Sequence, residues 1–332
     1  MKRKMRAVIY RKYGPPTEVM ELENNIFIPK PLTGETLIKV EGSSVNAADM
    51  HMVRANYLII RLILGLFKPS KRRRILGMDI AGTVESIGEN VTGFKIGDSV
   101  AADLRNTFGG GFAEYAIVKA DRLVKIPNNV SFQEAATVPI SGQAAMMGIT
   151  LCNIKPGDSI LINGASGGVG SYGIQIAKSL GAHVTAICSS TKSSEVISWG
   201  ADETIDYKVT SLNELRINTY DAVFDTACFE KPSVFAQSLK DKGRYVLVGG
   251  SYYNMLKVKL FGKCYAQRSQ NFRSLTQEVE VNDNIKKVFE MISQGKIKPA
   301  IQKVVPLGEV PKAINSLIQR TVTGKIVVNN QI

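Results

Sequence analysis

The stretch LINGASGGVGSYGIQIAKSLGAHVTAICSST, Leu161 to Thr191, decides how the rest of the chain is read. An apolar strand enters a glycine-rich turn, a helix follows, and a second strand ends in small polar residues. Gly164, Gly167 and Gly170 spell G-x-x-G-x-x-G. One position later, Ala165, Ser166, Gly167, Gly168, Val169 and Gly170 spell A-x-G-x-x-G, a dinucleotide fingerprint with alanine in its first glycine slot. The motif alone is weak, and a tight strand–helix turn without ligand is the alternative. Its setting gives it weight: an apolar strand before, a helix after, a second strand at the expected distance. Small residues let the backbone approach a pyrophosphate, and the helix start offers its N–H groups to the anion.

The end of the second strand separates the two nicotinamide dinucleotides. An NAD site usually closes this strand with Asp or Glu, which accepts from the ribose 2′-hydroxyl. Here the strand closes Cys188-Ser189-Ser190, followed by Thr191-Lys192. An acid repels a 2′-phosphate, whereas hydroxyls and a lysine receive it, so NADPH is expected over NADH. Lys192 also reads as an ordinary helix-start lysine. Tyr207, after the third strand, reads as an adenosine-pocket wall or as a half-buried tyrosine.

Outward from this unit the chain changes character. Upstream lie short β-favouring runs such as TLIKVEGSSV, DIAGTVESIG and FAEYAIVKA, punctuated by Gly, Asp and Asn. Helical periodicity begins near Ser131, where Ser131 and Glu134 have capping-box spacing. From Asp158, strands near 159–163, 183–188, 204–206, 221–226 and 244–248 alternate with helical segments, a parallel α/β unit. After residue 265, helical and strand-like segments are expected to return to the first domain.

At 332 residues, 44% apolar and 21% charged, the composition fits about two globular domains. Cys152, Cys188, Cys228 and Cys264 are dispersed, with no C-x-x-C pair, which gives no support to a structural zinc cluster and fits a reducing cytosol. A cytoplasmic location is therefore expected, with no targeting segment. The net charge of +13 favours anionic ligands, but no nucleic-acid signature accompanies it, so no nucleic-acid partner is expected. The longest apolar run, YLIIRLILGLF (Tyr57 to Phe67), is short and split by Arg61, and a basic tail, Lys68 to Arg74, follows it. It reads as a core segment followed by a solvated basic loop, with a lid or a weak membrane contact as the lesser readings.

A strand-rich front, a central nucleotide-binding unit and a returning tail together resemble the medium-chain dehydrogenase/reductase superfamily. GMDIAGTVESIGENVTGFKIGDSV (Gly77 to Val100) looks like its GroES-like catalytic domain, and GGFAEYAIV and AATVPISGQAA follow in the expected order. The branch most similar is the zinc-free quinone oxidoreductase-like one, which includes bacterial proteins labelled alcohol dehydrogenases. The resemblance implies an α/β fold: a GroES-like β-rich catalytic domain at 1–127, a Rossmann NADPH-binding domain at 128–265, and a return at 266–332 that completes the first. It also implies a cleft between the domains and a homodimer. Zinc-dependent relatives carry a cysteine ligand where this chain has Asn46, and Gly-His-Glu where it has Gly77-Met78-Asp79. With only His51 and His183 in the chain, no zinc is expected, and the Lewis acid that polarises an alcohol is missing.

Hydride transfer without a metal needs an acceptor that spreads charge through conjugation: a quinone or an α,β-unsaturated carbonyl. Asn46, by resemblance, lines the active site, where its amide would donate to the acceptor oxygen; the alternative is a turn-stabilising asparagine. Asp49 orients that loop, relays a proton, or is a helix-start carboxylate. His51 is a chemically apt proton donor but reads more readily as structural. Tyr57 faces quinone in some relatives and is equally an apolar packing residue. Ala144 stands where many relatives carry a nicotinamide-contacting threonine, so orientation is expected from Gly249, Gly250 and Ser251 after the fifth strand. The competing readings are an alcohol dehydrogenase or carbonyl reductase, and a non-catalytic NADPH-binding sensor or RNA-binding protein.

Overall fold

The computed structural model describes residues 3–107, 109–249, 252–267, 269–274 and 281–332. Its contacts divide the chain into two units, Met1–Ile140 with Ile301–Ile332, and Ser141–Ala300.

The second unit is built on six parallel strands. In spatial order they are Glu203–Asp206, His183–Cys188, Ser159–Asn163, Tyr220–Asp225, Leu239–Leu247 and Asn271–Ser274. In chain order this is 3-2-1-4-5-6, the doubly wound dinucleotide-binding arrangement. The central strands are apolar runs because both faces are covered: Ile160, Leu161, Ile162, Val223 and Phe224 are all fully buried. The order reverses between Ser159–Asn163 and Tyr220–Asp225, and the glycine turn leaves the sheet at that switch point.

The first unit carries a seven-stranded sheet. Its path runs Ile301–Pro306, Lys325–Asn329, Glu35–Ser44, Asp79–Ile87, Ser99–Asp103 and Leu123–Lys125, with Tyr115–Lys119 also paired to Glu35–Ser44. The tail strand Lys325–Asn329 runs antiparallel to Glu35–Ser44, with Val327 opposite Ser44, and the Val45 N–H donates to the Ile326 carbonyl at 3.1 Å. This pairing is what carries Lys325 to the start of the helix Ala47–Arg54. The returning helix Val310–Ile318 buries Val310, Ala313 and Ile314 in the same core as Val45, Val53 and Phe112.

Three expectations are revised. The return begins at Ile301, not at 266: the strand Asn271–Ser274 extends the second sheet, and the helix Val281–Ser293 belongs to the second unit. The Ser131–Glu134 capping box is present, with Glu134 N–H on Ser131 Oγ at 3.3 Å and Ser131 N–H on Glu134 Oε2 at 3.0 Å. The periodic stretch it opens is not one helix, however: Phe132–Ala135 and Gln143–Cys152 are separated by a π-type turn at Val138–Gly142. Finally, the run from Tyr57 to Phe67 is not core. It forms the helix Leu58–Leu64, of which only Leu64 is buried, and Tyr57, Leu58, Ile59, Leu62, Ile63, Leu66 and Phe67 are exposed.

Candidate active site

The glycine turn is shaped by neighbours that leave no room for a side chain at Gly164 or Gly170. Gly164 has φ +75, and a β-carbon on Gly170 would lie 2.4 Å from the Gly164 carbonyl oxygen and 2.6 Å from that of Ala165. Ala165 is fully buried, and its N–H donates to Ile187 O at 3.2 Å. The helix Gly168–Ser179 starts immediately after Gly167, so the N–H groups of Gly168, Val169 and Gly170 fall in its first turn, where no intrahelical acceptor exists. Ser166 lies between, half-buried. The turn is braced from the neighbouring strand: Thr226 Oγ1 donates to Asn163 O at 2.8 Å and to Gly164 O at 3.2 Å. Buried Asp225 accepts from Asn163 Nδ2 at 2.9 Å, from Tyr245 Oη at 2.7 Å and from the Cys228 N–H at 3.0 Å. Burial raises the Asp225 pKa, opposed by these donors. A turn that admits only glycine at Gly164 and Gly170, beside an N-terminal helical turn, fits a pyrophosphate.

At the far end of the second strand, Ser189 is buried and its hydroxyl pairs with Thr191 Oγ1 at 3.0 Å, while Ser190 is exposed. Lys192 is half-buried, and burial lowers its pKa, with a further push from the positive charge of Lys208. Tyr207 is exposed. The structure adds a group that the strand end alone did not show. Asp206 closes the adjacent strand, paired with Cys188, and its carboxylate accepts from the Ser190 N–H at 2.9 Å and the Lys208 N–H at 2.8 Å. The Lys208 N–H and Ser190 together hold its pKa below the usual carboxylate range. Gly249, with φ +78, is exposed at the end of the fifth strand; Gly250 and Ser251 lie outside the described residues.

In the first unit, Asn46 and Asp49 enter one buried polar cluster. Asp49 is fully buried; its Oδ2 accepts from the Asn46 N–H at 2.9 Å and its Oδ1 from the Gly77 N–H at 3.0 Å. Gly77 has φ +94, and a β-carbon there would meet Phe112 N at 2.6 Å, so the backbone that Asp49 grips requires glycine. Burial raises the Asp49 pKa to about 7 against the pull of these two N–H groups. Asn46 Nδ2 donates to Asp79 Oδ2 at 2.8 Å and to Ser44 O at 3.2 Å. Asp79, also fully buried, accepts from Ser44 Oγ and, at 2.7 Å, from the Ile140 N–H.

The cluster is completed by Lys325, which is 3% exposed. Its ammonium donates to Asn46 Oδ1 at 2.7 Å and to Val45 O at 3.1 Å, and lies 3.4 Å from Asp79 Oδ2. Burial lowers its pKa, and the Asp79 and Asp49 carboxylates act in the opposite direction. Both hydrogens of the Asn46 amide are thus committed inside the protein, and the expected donation to an acceptor requires one of those bonds to be given up. His51 and Tyr57 stand apart from the cluster, with ring centroids 6.0 Å apart. Burial and the nearby Arg54 lower the His51 pKa, and Tyr57 is 50% exposed. Among the described residues no group of three or more His, Cys, Asp or Glu is placed to hold a metal ion. Met78, at the second zinc-ligand position, is buried in the core.

Comparison with known proteins accounts for both units. Residues 33–128 match the alcohol dehydrogenase GroES-like domain, and residues 199–328 match the family described as zinc-binding dehydrogenase. The chloroplastic quinone-oxidoreductase QR1 of Triphysaria versicolor is 34% identical over 334 residues, covering 98% of each chain. The chain belongs to the medium-chain dehydrogenase/reductase superfamily, in its quinone oxidoreductase-like branch. A chloroplastic NADPH-dependent alkenal/one oxidoreductase of Arabidopsis thaliana is 31% identical over 98% of this chain and 80% of that one. The quinone oxidoreductase structure from Coxiella burnetii superposes with a TM-score of 0.85 at 26% identity, over 98% of this chain and 99% of that one. This medium-chain reductase is therefore an NAD(P)H-dependent oxidoreductase of quinone or enone type, using a nicotinamide cofactor and a small-molecule substrate.

Sequence reasoning missed Lys325, Asp79 and Asp206 in this reductase. The signal for Lys325 was a lysine opening the otherwise apolar KIVV, a run short and apolar enough to be a buried strand. For Asp206 there was no local signal, because its neighbour Ser190 is brought to it by strand pairing.

Proposed function

We propose that the protein reduces quinones or α,β-unsaturated carbonyls with NADPH and without zinc. The observation that carries this reading is the Lys325 ammonium 2.7 Å from Asn46 Oδ1. By family resemblance Asn46 stands at a zinc-ligand position, and its oxygen already binds a cation supplied by the protein. A thioether at Met78 and a carboxamide bound to an ammonium are a poor donor set for zinc. When bound, NADPH supplies a hydride from its nicotinamide to the conjugated acceptor.

The chain's own residues hold and align. The first helical turn at Gly168 to Gly170 receives the diphosphate on backbone N–H groups, with Thr226 and Asp225 keeping the turn rigid. Ser189, Ser190, Lys192 and Lys208 favour a 2′-phosphate. Asp206, an acid beside them, is turned onto two backbone N–H groups. Lys325 and Asp79 fix both ends of the Asn46 carboxamide. Lys325 is in this reading a positioning residue that also lends positive potential to the developing enolate or hydroquinone anion. The proton that follows comes from solvent, since His51 is held mostly neutral at pH 7 and Asp49 is enclosed.

The test is NADPH oxidation, followed by absorbance, against quinones, enones, aldehydes and, with NADP⁺, alcohols, with zinc measured by elemental analysis of the same sample. Turnover of quinones or enones at negligible zinc is the expected result. Stoichiometric zinc, or activity confined to saturated alcohols, overturns the proposal.

A further inference from the structure

The helix Leu58–Leu64 is built inside out for a water-facing helix. Its outward side chains are Leu58, Ile59, Leu62 and Ile63, and just beyond its end Leu66 and Phe67 are also exposed, Phe67 by 85%. Its one charged residue, Arg61, turns inward: Nε donates to Ala55 O at 2.9 Å, and the guanidinium lies 5.4 Å from the centre of the Tyr13 ring. Leu64 is the buried anchor. An apolar patch of this extent that is left facing water marks a binding surface.

The charge of the segment that carries it is of one sign. Between Asp49 and Asp79 the chain has seven Lys or Arg residues and no Asp or Glu, so 29 residues carry seven of the thirteen net positive charges. Arg54, Lys68 and Lys71 are exposed around the apolar tip. A short amphipathic element with a protruding apolar tip and a cationic border matches the interface of an anionic bilayer, where apolar insertion and attraction to acidic headgroups add. A second copy of the chain is disfavoured, because a two-fold contact would set the same cations against one another. Among the described residues no helix is long and apolar enough to cross a membrane, so the contact is with the surface.

We propose that Tyr57–Arg74 docks this protein on anionic membrane surfaces. Membrane docking involves neither the cofactor nor the acceptor and is independent of the proposed reaction.

The full chain is sedimented with vesicles of phosphatidylcholine alone and of phosphatidylcholine mixed with phosphatidylglycerol. It is expected to pellet with the mixed vesicles, to remain in the supernatant with the neutral ones, and to be released by salt. Replacing Leu62→Ser with Phe67→Ser is expected to weaken pelleting about tenfold or more. Removing Lys68 and Lys71 as Lys→Gln is expected to weaken it roughly fivefold per cation. All four side chains are exposed, so thermal unfolding and NADPH oxidation with a water-soluble quinone should be unchanged. No pelleting with the mixed vesicles overturns the proposal. So does pelleting that none of these substitutions weakens. If the apolar pair instead abolishes a concentration-dependent dimer, or lowers turnover of the soluble quinone, the patch is an interface between copies or a substrate lid, and the proposal is likewise overturned.

Discussion

The ammonium of Lys325 donates to the carboxamide oxygen of Asn46, 279 residues earlier in the chain, at 2.7 Å. Both partners are almost wholly buried, and the same ammonium lies 3.4 Å from the fully buried Asp79. Replacing Lys325→Met would leave the Asp79 charge without its cation in a dry site, at a cost of about 3–5 kcal/mol. Urea unfolding should show this, and the kcat for a quinone should fall while the KM for NADPH holds. Parent-like stability would mean that the pair is not an ionic one.

Asp49 gives a pH signature of defined sign. Its folded pKa of about 7 lies above the roughly 3.9 of an unfolded aspartate, so between these values the folded state binds the extra proton. Its contribution to stability is present at low pH and is lost as pH rises from about 4 to about 7. Asp49→Asn should be less stable at low pH, where the parent holds its proton, and the gap should narrow toward pH 7. Urea midpoints of parent and variant across that range are the measurement, and a gap that widens with pH would contradict the assignment.

Gly170→Ala places a methyl group against the Gly164 and Ala165 carbonyl oxygens, at contacts of 2.4 and 2.6 Å that require the turn to shift. The expected result is a loss of about 1–3 kcal/mol in stability, with NADPH affinity falling further than that of the quinone. Fluorescence titration with NADPH reads the first effect and steady-state kinetics the second.

Lys192→Glu reverses the charge beside Ser189 and Ser190. NADPH affinity should fall by about tenfold or more while NADH changes little, since only the 2′-phosphate senses the site at close range. Equal effects on the two dinucleotides would remove Lys192 from the discriminating set.

His51, its pKa lowered by burial and by Arg54, carries little charge at pH 7. His51→Gln is accordingly expected to change kcat by less than about threefold, an effect too small for a general acid. A pH–rate profile that loses its alkaline limb in the variant would restore His51 to the chemistry.

The nucleotide unit was legible because its signals are local. The glycine turn, the strand ahead of it and the helix behind it are contiguous, and alternation in chain order determines the parallel sheet. The cluster in the first unit was half legible: Asn46 and Asp49 stand on one short helix start, but Lys325 reaches them only through the pairing of Lys325–Asn329 with Glu35–Ser44. Likewise Asp206 meets Ser190 only across neighbouring strands. The Tyr57–Phe67 run was misread for a different reason. Composition states that a segment is apolar, not which side faces inward, and here the inward places go to Arg61 and Leu64 because Tyr13 and the Ala55 carbonyl receive the guanidinium.

The nucleotide-binding unit, Ser141–Ala300, is an insertion within the other unit, whose sheet needs strands from both sides of it. The inserted unit is continuous in sequence, whereas the seven-stranded sheet is completed only by the chain beyond residue 300. Exchange of the whole inserted unit therefore takes two crossovers, near 140 and near 300, and leaves the Asn46–Asp79–Lys325 assembly untouched.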